Sequence, residues 1–176
     1  MGNGIRKLVE RAVPAGTNDA QRDAVYEDFC TYYAAHCEDH TGPYAGIPEL
    51  LAHLRAAGMR LAVVSNKGDF AVQELVSRQF PDTFDAILGE NEAAGIRKKP
   101  APDMVEAALE QMGASRDGLV YIGDSEVDVQ TAANVGCPCV SCTWGFRGVD
   151  ELIAAGATTF VDTPAELERV LLGTAR

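Results

Sequence analysis

The sequence predicts an α/β fold in which helices cover both faces of a mostly parallel sheet, with a partial helical appendage beside it. From residue 47 onwards, short apolar runs rich in β-branched residues alternate with segments of helical periodicity. This alternation is typical of right-handed crossovers between parallel strands. Residues 1–43 show helical periodicity alone, and the turn-rich stretch 41–46 ends them. We therefore expect an α-helical appendage over 1–43 and an α/β core over 44–176.

Each element is predicted from its own local pattern. Apolar spacing predicts a helix over 5–13 and a second helix that Thr17 or Asn18 can cap. In the core, helices are predicted over 48–57, 69–79, 102–112, 125–135, 148–155 and 164–172. Strands are predicted over 60–64, 84–88, 119–122, 139–141 and 159–161. Gly58 and Gly113 directly follow two of these helices, where glycine commonly ends a helix.

The composition indicates a folded domain and argues against several classes of partner. The chain has 176 residues, of which 47% are hydrophobic, so it can bury a substantial core. Its formal net charge of −11 argues against a nucleic-acid ligand, because nucleic-acid binding needs a basic surface. No apolar run has the length of a membrane span and no secretory leader is recognisable, so we expect no membrane partner and a cytoplasmic location. The five cysteines are then expected to be reduced thiols.

Two aspartates mark the end of the apolar run 119–122. Asp124 follows it after Gly123, and Asp128 lies four residues later, in the first turn of the next predicted helix. Ligands bind at this edge of an open α/β sheet, and two carboxylates there can approach one Mg²⁺ ion, which prefers oxygen ligands. In the alternative interpretation, both aspartates only stabilise the turn and the start of the helix.

Two other segments carry candidate phosphate ligands. Ser65 and Asn66 follow an apolar run, where a hydroxyl and an amide can donate to a phosphate oxygen; a plain helix-initiating turn is the alternative. Lys98 and Lys99 lie in a compact basic loop that two prolines hold extended. A lysine held in this way can neutralise phosphate charge in a transition state, although a solvated charge run is also consistent with the pattern.

The three segments together predict one site. Ser65, Lys99 and Asp124 come at the ends of successive α/β units, so they should converge on one edge of one sheet. That convergence predicts a phosphate and magnesium site. The segment 143–148, which carries the single Trp, follows another strand end and is either a mobile cover or a surface turn.

On these motifs the chain resembles the haloacid dehalogenase superfamily, whose core is a Rossmann-like parallel sheet. Residues 63–67 look like the second motif of the superfamily, 99–103 like the third and 123–128 like the fourth. Within the superfamily, 136–138 and 143–146 resemble the phosphoglycolate phosphatases. The appendage resembles the interior of that group's α-helical cap.

The resemblance implies a role for each candidate residue. Ser65 would donate to the phosphoryl oxygens, and Asn66 would shape the loop around them. Lys99, which directly precedes a proline and is preferred to its neighbour, would offset the phosphoryl charge. Asp124 would be the main Mg²⁺ ligand from this chain, and Asp128 would ligate the metal directly or support it from behind.

One family motif does not occur in this sequence. Family members begin with a strand ending in Asp-x-Asp-Gly-Thr, whose first Asp is the nucleophile, and no Asp-x-Asp occurs in the 176 residues. We therefore expect these residues to start within the cap and to lack the first, central strand. The empty position should be closed by direct pairing of the strands at 60–64 and 119–122, by strand exchange in a homo-oligomer, or by the N-terminal segment.

The expected function is Mg²⁺-dependent hydrolysis of a small phosphorylated metabolite through an aspartyl-phosphate, as in phosphoglycolate phosphatases. A phosphomutase or phosphonate hydrolase of the same superfamily is one alternative, since the cap selects the substrate. A non-catalytic phosphate-binding or interaction module is the other, because the nucleophile is not encoded here.

Overall fold

The computed structural model describes residues 5–173 and has the expected α/β architecture. Its helices are α1 Ile5–Ala12, α2 Asp19–His36, α3 Ile47–Ala56, α4 Asp69–Gln79, α5 Asp103–Met112, α6 Glu126–Val135, α7 Val149–Ala154 and α8 Pro164–Leu172. Its strands are β1 Ala62–Gly68, β2 Ala86–Glu90, β3 Tyr121–Gly123, β4 Cys139–Cys142 and β5 Phe160–Val161. Each helix and strand predicted from the sequence is present; α4 and α8 have the predicted ends, and the ends of the other elements differ by no more than a few residues.

The strands form two parallel sheets rather than the single sheet expected. β1 pairs with β2, and β3, β4 and β5 form a second sheet with β4 in the middle. Within residues 5–173, no backbone ladder joins β1 to β3, so the expected direct pairing of these strands is wrong for this structure. The N-terminal segment does not fill the position either, because residues 5–12 form α1.

One helix explains why the two sheets stay side by side without pairing. Val105 and Leu109 of α5 pack with Tyr121 of β3, while Ala108 packs with Leu88 of β2. Because α5 rests on both sheets at once, it holds their neighbouring edges under one apolar cover. The edge of β3 is left partly open, and Ile122 in that strand is 41% exposed.

The opposite face of the second sheet has its own core. Leu50 and Leu54 of α3 pack with Leu167 of α8 against Val140 and Val161 of the strands. These five side chains are each at most 3% exposed, so this cluster is a fully formed core. Helices therefore cover both faces of the second sheet, as the sequence predicts.

The helical appendage packs lightly on the core. Asn18 caps α2, since its side chain accepts from the Gln21 N–H group at 2.9 Å. None of the 18 residues of α2 is buried. Tyr33 of α2 lies edge-on to Phe70 of α4, with 6.4 Å between ring centroids. In the part of the chain described, no helix is long and apolar enough to span a membrane. The domain boundary near residue 43 remains a prediction.

Candidate active site

Asp128 lies at the centre of the candidate site and is almost completely buried, at 5% exposure. It is the third residue of α6, which begins directly after the turn that follows β3. The Asp128 side chain fits here because residue 123 is a glycine. A Cβ atom on residue 123 would lie 2.2 Å from the Cβ of Asp128. The glycine at the end of β3 is therefore required for the carboxylate to pack beneath the strand.

Five donors surround the Asp128 carboxylate. Oδ1 accepts from Lys99 Nζ at 2.7 Å and from Tyr121 Oη at 3.2 Å. Oδ2 accepts from Ser125 Oγ at 2.5 Å, from Ser125 N at 3.2 Å and from Asp124 N at 3.3 Å. Burial alone would raise the pKa of Asp128, but the Lys99 ammonium and these hydrogen bonds outweigh it and hold that pKa below its ordinary value. Asp128 is therefore a buried anion that positions its neighbours.

Lys99 is held at both its backbone and its side chain. Its N–H donates to Asn66 Oδ1 at 2.7 Å, and its carbonyl accepts from Asn66 Nδ2 at 3.1 Å. Its ammonium reaches Asp128, and the two side chains are 13% and 7% exposed. The segment 63–67 thus holds the backbone of the segment 99–103 through Asn66, and Lys99 of that segment binds Asp128 of the segment 123–128. Asn66 and Asp128 are therefore both in direct contact with Lys99. The convergence of Ser65, Lys99 and Asp124 on one cleft stays a prediction.

A further clamp fixes the basic loop itself. Arg97 binds both carboxylate oxygens of Asp103 through its guanidinium, at 2.9 and 2.7 Å. This pairing lowers the pKa of Asp103 to about 2. Asn134 of α6 donates to the carbonyl of Pro100 at 2.8 Å and ties the loop to that helix. The loop is therefore braced on both sides of Lys99 rather than being a solvated charge run.

Ser65 keeps a donor available. Its Oγ accepts from the Lys67 N–H at 3.2 Å, and within residues 5–173 its hydroxyl proton is left for another acceptor. β1 continues through residues 65–67 instead of ending at Val64, so the second motif lies within the strand end. A phosphoryl oxygen is an acceptor of the kind this hydroxyl can serve.

Asp124 is held by the segment 143–148. Its Oδ2 accepts from the Phe146 N–H at 2.9 Å, and a Cβ atom on Gly145 would lie 2.2 Å from Asp124. Arg147 pairs with Glu126 at 3.0 Å and fastens the same segment to the start of α6. The sequence left open a mobile cover or a surface turn, and the structure shows a segment bonded to Asp124 and Glu126.

The carboxylate oxygens of Asp124 and Asp128 meet the ligand requirements of a magnesium ion only in part. Asp124 Oδ1 accepts no hydrogen bond from the described residues, so it is available as an oxygen ligand. Asp128 has both oxygens occupied by protein donors, which favours a supporting role over direct ligation. Among residues 5–173, no group of three or more His, Cys, Asp or Glu side chains could hold a metal. Asp124 could therefore hold Mg²⁺ only together with oxygens from water, phosphate or another segment.

A cavity of about 250 Å³ lies elsewhere, between α1 and α2. Its charged residues already have ion-pair partners, as Arg6 has Asp23 at 2.8 Å and Arg22 has Asp19 at 3.0 Å. None of the motif residues lines it. We therefore place the candidate site at the strand ends and not in this cavity.

Sequence reasoning missed two residues that shape the site. Tyr121 supports Asp128, and Gly145 admits Asp124 beneath its loop. A signal for Tyr121 was present, because it lies two residues before Gly123 and so shares its face of the strand. Gly145 had no such signal, since its contact joins segments that are distant in sequence.

Comparisons with known proteins match this chain to one family. A family model described as haloacid dehalogenase-like hydrolase matches residues 1–142. A phosphoglycolate phosphatase of Neisseria meningitidis is 34% identical, covering 90% of this chain and 68% of its own length. The structure of a candidate phosphoglycolate phosphatase from Lactobacillus delbrueckii has a TM-score of 0.79 and 48% identity, covering 92% of this chain and 66% of its own. The structure of CbbY from Rhodobacter sphaeroides in complex with phosphate has a TM-score of 0.73 and 26% identity, covering 94% of this chain and 75% of its own. This chain, which spans from 66% to 75% of the lengths of these three proteins, belongs to the haloacid dehalogenase-like hydrolase family.

Proposed function

We propose that this chain provides the phosphate-binding part of a cytoplasmic, magnesium-dependent phosphomonoester hydrolase of the phosphoglycolate phosphatase type. The observation that carries the proposal is the buried contact between Lys99 Nζ and Asp128 Oδ1 at 2.7 Å. The same Asp128 accepts from the Asp124 N–H, and Asn66, which directly follows Ser65, holds the Lys99 backbone. A small phosphorylated metabolite would be bound by these groups at the carboxyl ends of β1 and β3.

Each residue would act on the phosphoryl group through chemistry that its contacts allow. Lys99 would offset negative charge on the phosphoryl oxygens, since Asp128 keeps its ammonium in place. Ser65 would donate its free hydroxyl proton to one of these oxygens. Asp124 would hold Mg²⁺ through Oδ1, and the ion would neutralise further phosphate charge. Asp128 would remain ionised because its pKa is lowered.

The nucleophile is the part that these residues do not supply. In the family it is the first Asp of an Asp-x-Asp motif, and the 176 residues contain no such motif. We infer that turnover requires another segment to deliver that carboxylate next to Lys99. For the 176-residue polypeptide alone, the missing motif favours the second candidate function, a phosphate-binding module without catalysis.

An assay of aryl phosphate and phosphoglycolate hydrolysis tests the proposal. The 176-residue polypeptide should be no faster than its Lys99→Ala variant. The same polypeptide preceded by a strand that ends in Asp-x-Asp-Gly-Thr should gain Mg²⁺-dependent turnover. Asp124→Ala and Lys99→Ala should each abolish the gain. Mg²⁺-dependent turnover by the 176 residues alone, lost in Asp124→Ala, would show that another carboxylate acts as nucleophile.

A further inference from the structure

Two donors of different kinds share one oxygen of the buried Asp128 carboxylate. The Lys99 ammonium reaches Oδ1 at 2.7 Å, and the neutral hydroxyl of Tyr121 donates to the same atom at 3.2 Å. Tyr121 is 6% exposed, and its burial raises the pKa of the hydroxyl, which therefore keeps its proton at neutral pH. The hydroxyl can stay on Oδ1 when the ammonium turns towards another anion.

The ring of Tyr121 is held in place by the core. It packs in one cluster with Val105 and Leu109 of α5 and with Ala132 and Val135 of α6. Each of these four side chains is at most 7% exposed. Because a close-packed interior leaves a ring little room to move, the two helices fix where the hydroxyl lies.

A bound phosphoryl group would compete with Asp128 for the Lys99 ammonium. An ammonium has three N–H donors, and the contact with Oδ1 uses one of them. As the ammonium turns towards phosphoryl oxygens, Oδ1 loses part of its compensating charge. Asp128 is 5% exposed, so water has little access to replace that charge. The phenol hydroxyl is then the donor that keeps this oxygen satisfied, and a buried acceptor without a donor is costly.

Without the hydroxyl, the carboxylate would hold the ammonium more tightly. Oδ2 keeps its own donors from Ser125 Oγ and the Asp124 N–H in either case. Oδ1 would depend on Lys99 alone for the stabilisation of a buried charge, and a buried charge that loses its partner is strongly destabilising. The Tyr121 hydroxyl therefore contributes more with an anion bound at Lys99 than without one.

We propose that Tyr121 is a positioning residue for the phosphate site, whose hydroxyl stabilises Asp128 while Lys99 turns towards the phosphoryl group. The inference rests on the proposed function, since it requires that Lys99 binds the phosphoryl oxygens. It adds a residue that does not touch the ligand and acts on it through Asp128. It also connects the apolar packing of α5 and α6 to the strength of phosphate binding.

The test is a calorimetric titration of the 176-residue chain with inorganic phosphate in the presence of Mg²⁺. Tyr121→Phe removes the hydroxyl and keeps the ring. We expect its dissociation constant to be about fivefold above that of the wild-type chain, as the partial loss of one hydrogen bond to a charged group predicts. Tyr44→Phe is the matched control, since Tyr44 is 52% exposed, and should leave the constant unchanged. Val135→Ala weakens the same cluster but keeps the hydroxyl, so its constant should stay within about twofold of the wild-type value.

The Lys99 ammonium signal, followed by nuclear magnetic resonance with 15N-labelled lysine, separates positioning from a purely structural role. At saturating phosphate this signal should shift less in Tyr121→Phe than in the wild-type chain, because Asp128 retains the ammonium. An unchanged dissociation constant in Tyr121→Phe, an equal rise in Val135→Ala, or an ammonium shift as large as in the wild type would overturn the role of Tyr121 and leave the proposed function standing. A wild-type chain that binds no phosphate would overturn both proposals.

Discussion

Among individual residues, Asp128 has the largest influence on the geometry of the candidate site. Its Oδ1 faces the third motif through Lys99, and its Oδ2 faces the turn that carries Asp124. Replacing a buried carboxylate or its cation leaves the other charge without a partner, which costs far more than an exposed pair contributes. The same contact therefore sets both the orientation of Lys99 and part of the stability of the fold.

We predict that Lys99→Met lowers the free energy of unfolding by about 3 kcal/mol at pH 7.5, because it leaves Asp128 buried as an unpaired anion. The folded-state pKa of wild-type Asp128 is lowered, so its contribution is complete above the unfolded pKa near 3.9 and is lost only as the pH falls through the lower folded-state pKa. In the variant, burial without the ammonium raises that pKa. Urea melts should therefore show a smaller loss at pH 5.5 than at pH 7.5.

Lys7→Met provides the control for charge, since the Lys7 and Glu10 side chains are 52% and 45% exposed. Its cost should be far smaller than that of Lys99→Met, because exposed ion pairs contribute little to stability. A Lys99→Met cost of the same size would show that Asp128 does not depend on the lysine.

At this scale the sequence predicted one site for Ser65, Lys99 and Asp124, which stays a prediction, and it did not predict the ion pair between Lys99 and Asp128. Lys99 and Asp124 could be placed because each lies at the end of a predicted strand or in a loop of fixed spacing. The hydrogen bond from Tyr121 to Asp128, and the hydrogen bonds that occupy both oxygens of Asp128, depend on side-chain directions in three dimensions. Local sequence patterns do not determine these directions. The expected magnesium role of Asp128 stays a prediction that its five donors make less favourable.

Among the structural elements, the segment 143–148 has a role that the sequence left open. It leaves β4, contacts Asp124 through Gly145 and the Phe146 N–H, and leads into α7. The segment therefore helps to fix the rotamer of the candidate metal ligand.

We predict that Gly145→Ala destabilises the chain by about 1–3 kcal/mol, because the added Cβ cannot lie 2.2 Å from Asp124 without displacing it. Mg²⁺ affinity, measured by titration calorimetry, should fall at least tenfold. Gly148→Ala is the matched control in the same segment, since its Cβ would meet nothing closer than 3.9 Å. An unchanged Mg²⁺ affinity in Gly145→Ala would show that Asp124 does not hold the metal.

The sequence predicted the helices better than the strand ends. The helix over 69–79 coincides with α4, because Gly68 precedes it and Phe80 and Pro81 follow it. β1 was expected to end at Val64, since the polar residues 65–67 do not look like a strand. It continues to Gly68 because ladder pairing with β2 resumes there after an irregularity, opposite Glu90.

For the whole molecule, the separation of the two sheets is the most informative difference from expectation. The neighbouring edges of β1 and β3 are covered by α5 but are not joined by a ladder in the part of the chain described. The resemblance to the family predicted an empty position between these two strands, but local patterns predict strands and not their partners, so the expected closure by direct pairing was wrong. Each buried backbone group left without a hydrogen bond costs about 1–3 kcal/mol, against a net stability of about 5–15 kcal/mol for a domain.

We therefore predict that the two edges accept a parallel strand from a second copy of the chain or from a separate segment. Light scattering of the 176-residue polypeptide should show association that rises with concentration. Hydrogen exchange should slow at residues 62–64 and 121–123 on association, and should remain unchanged in α8. A polypeptide that stays monomeric at all concentrations and still unfolds cooperatively would show that the open edges are tolerated.

The convergence of three motifs on one phosphate and magnesium site is tested most directly by nuclear magnetic resonance of the 15N-labelled chain. Inorganic phosphate is titrated in the presence and absence of Mg²⁺ while the backbone amides of Ser65, Lys99 and Asp124 are followed. We predict that all three signals shift together with one dissociation constant, that Mg²⁺ lowers this constant, and that Tyr26 beside the cavity between α1 and α2 does not respond. Shifts confined to one of the three, or shifts centred on Tyr26, would contradict the site.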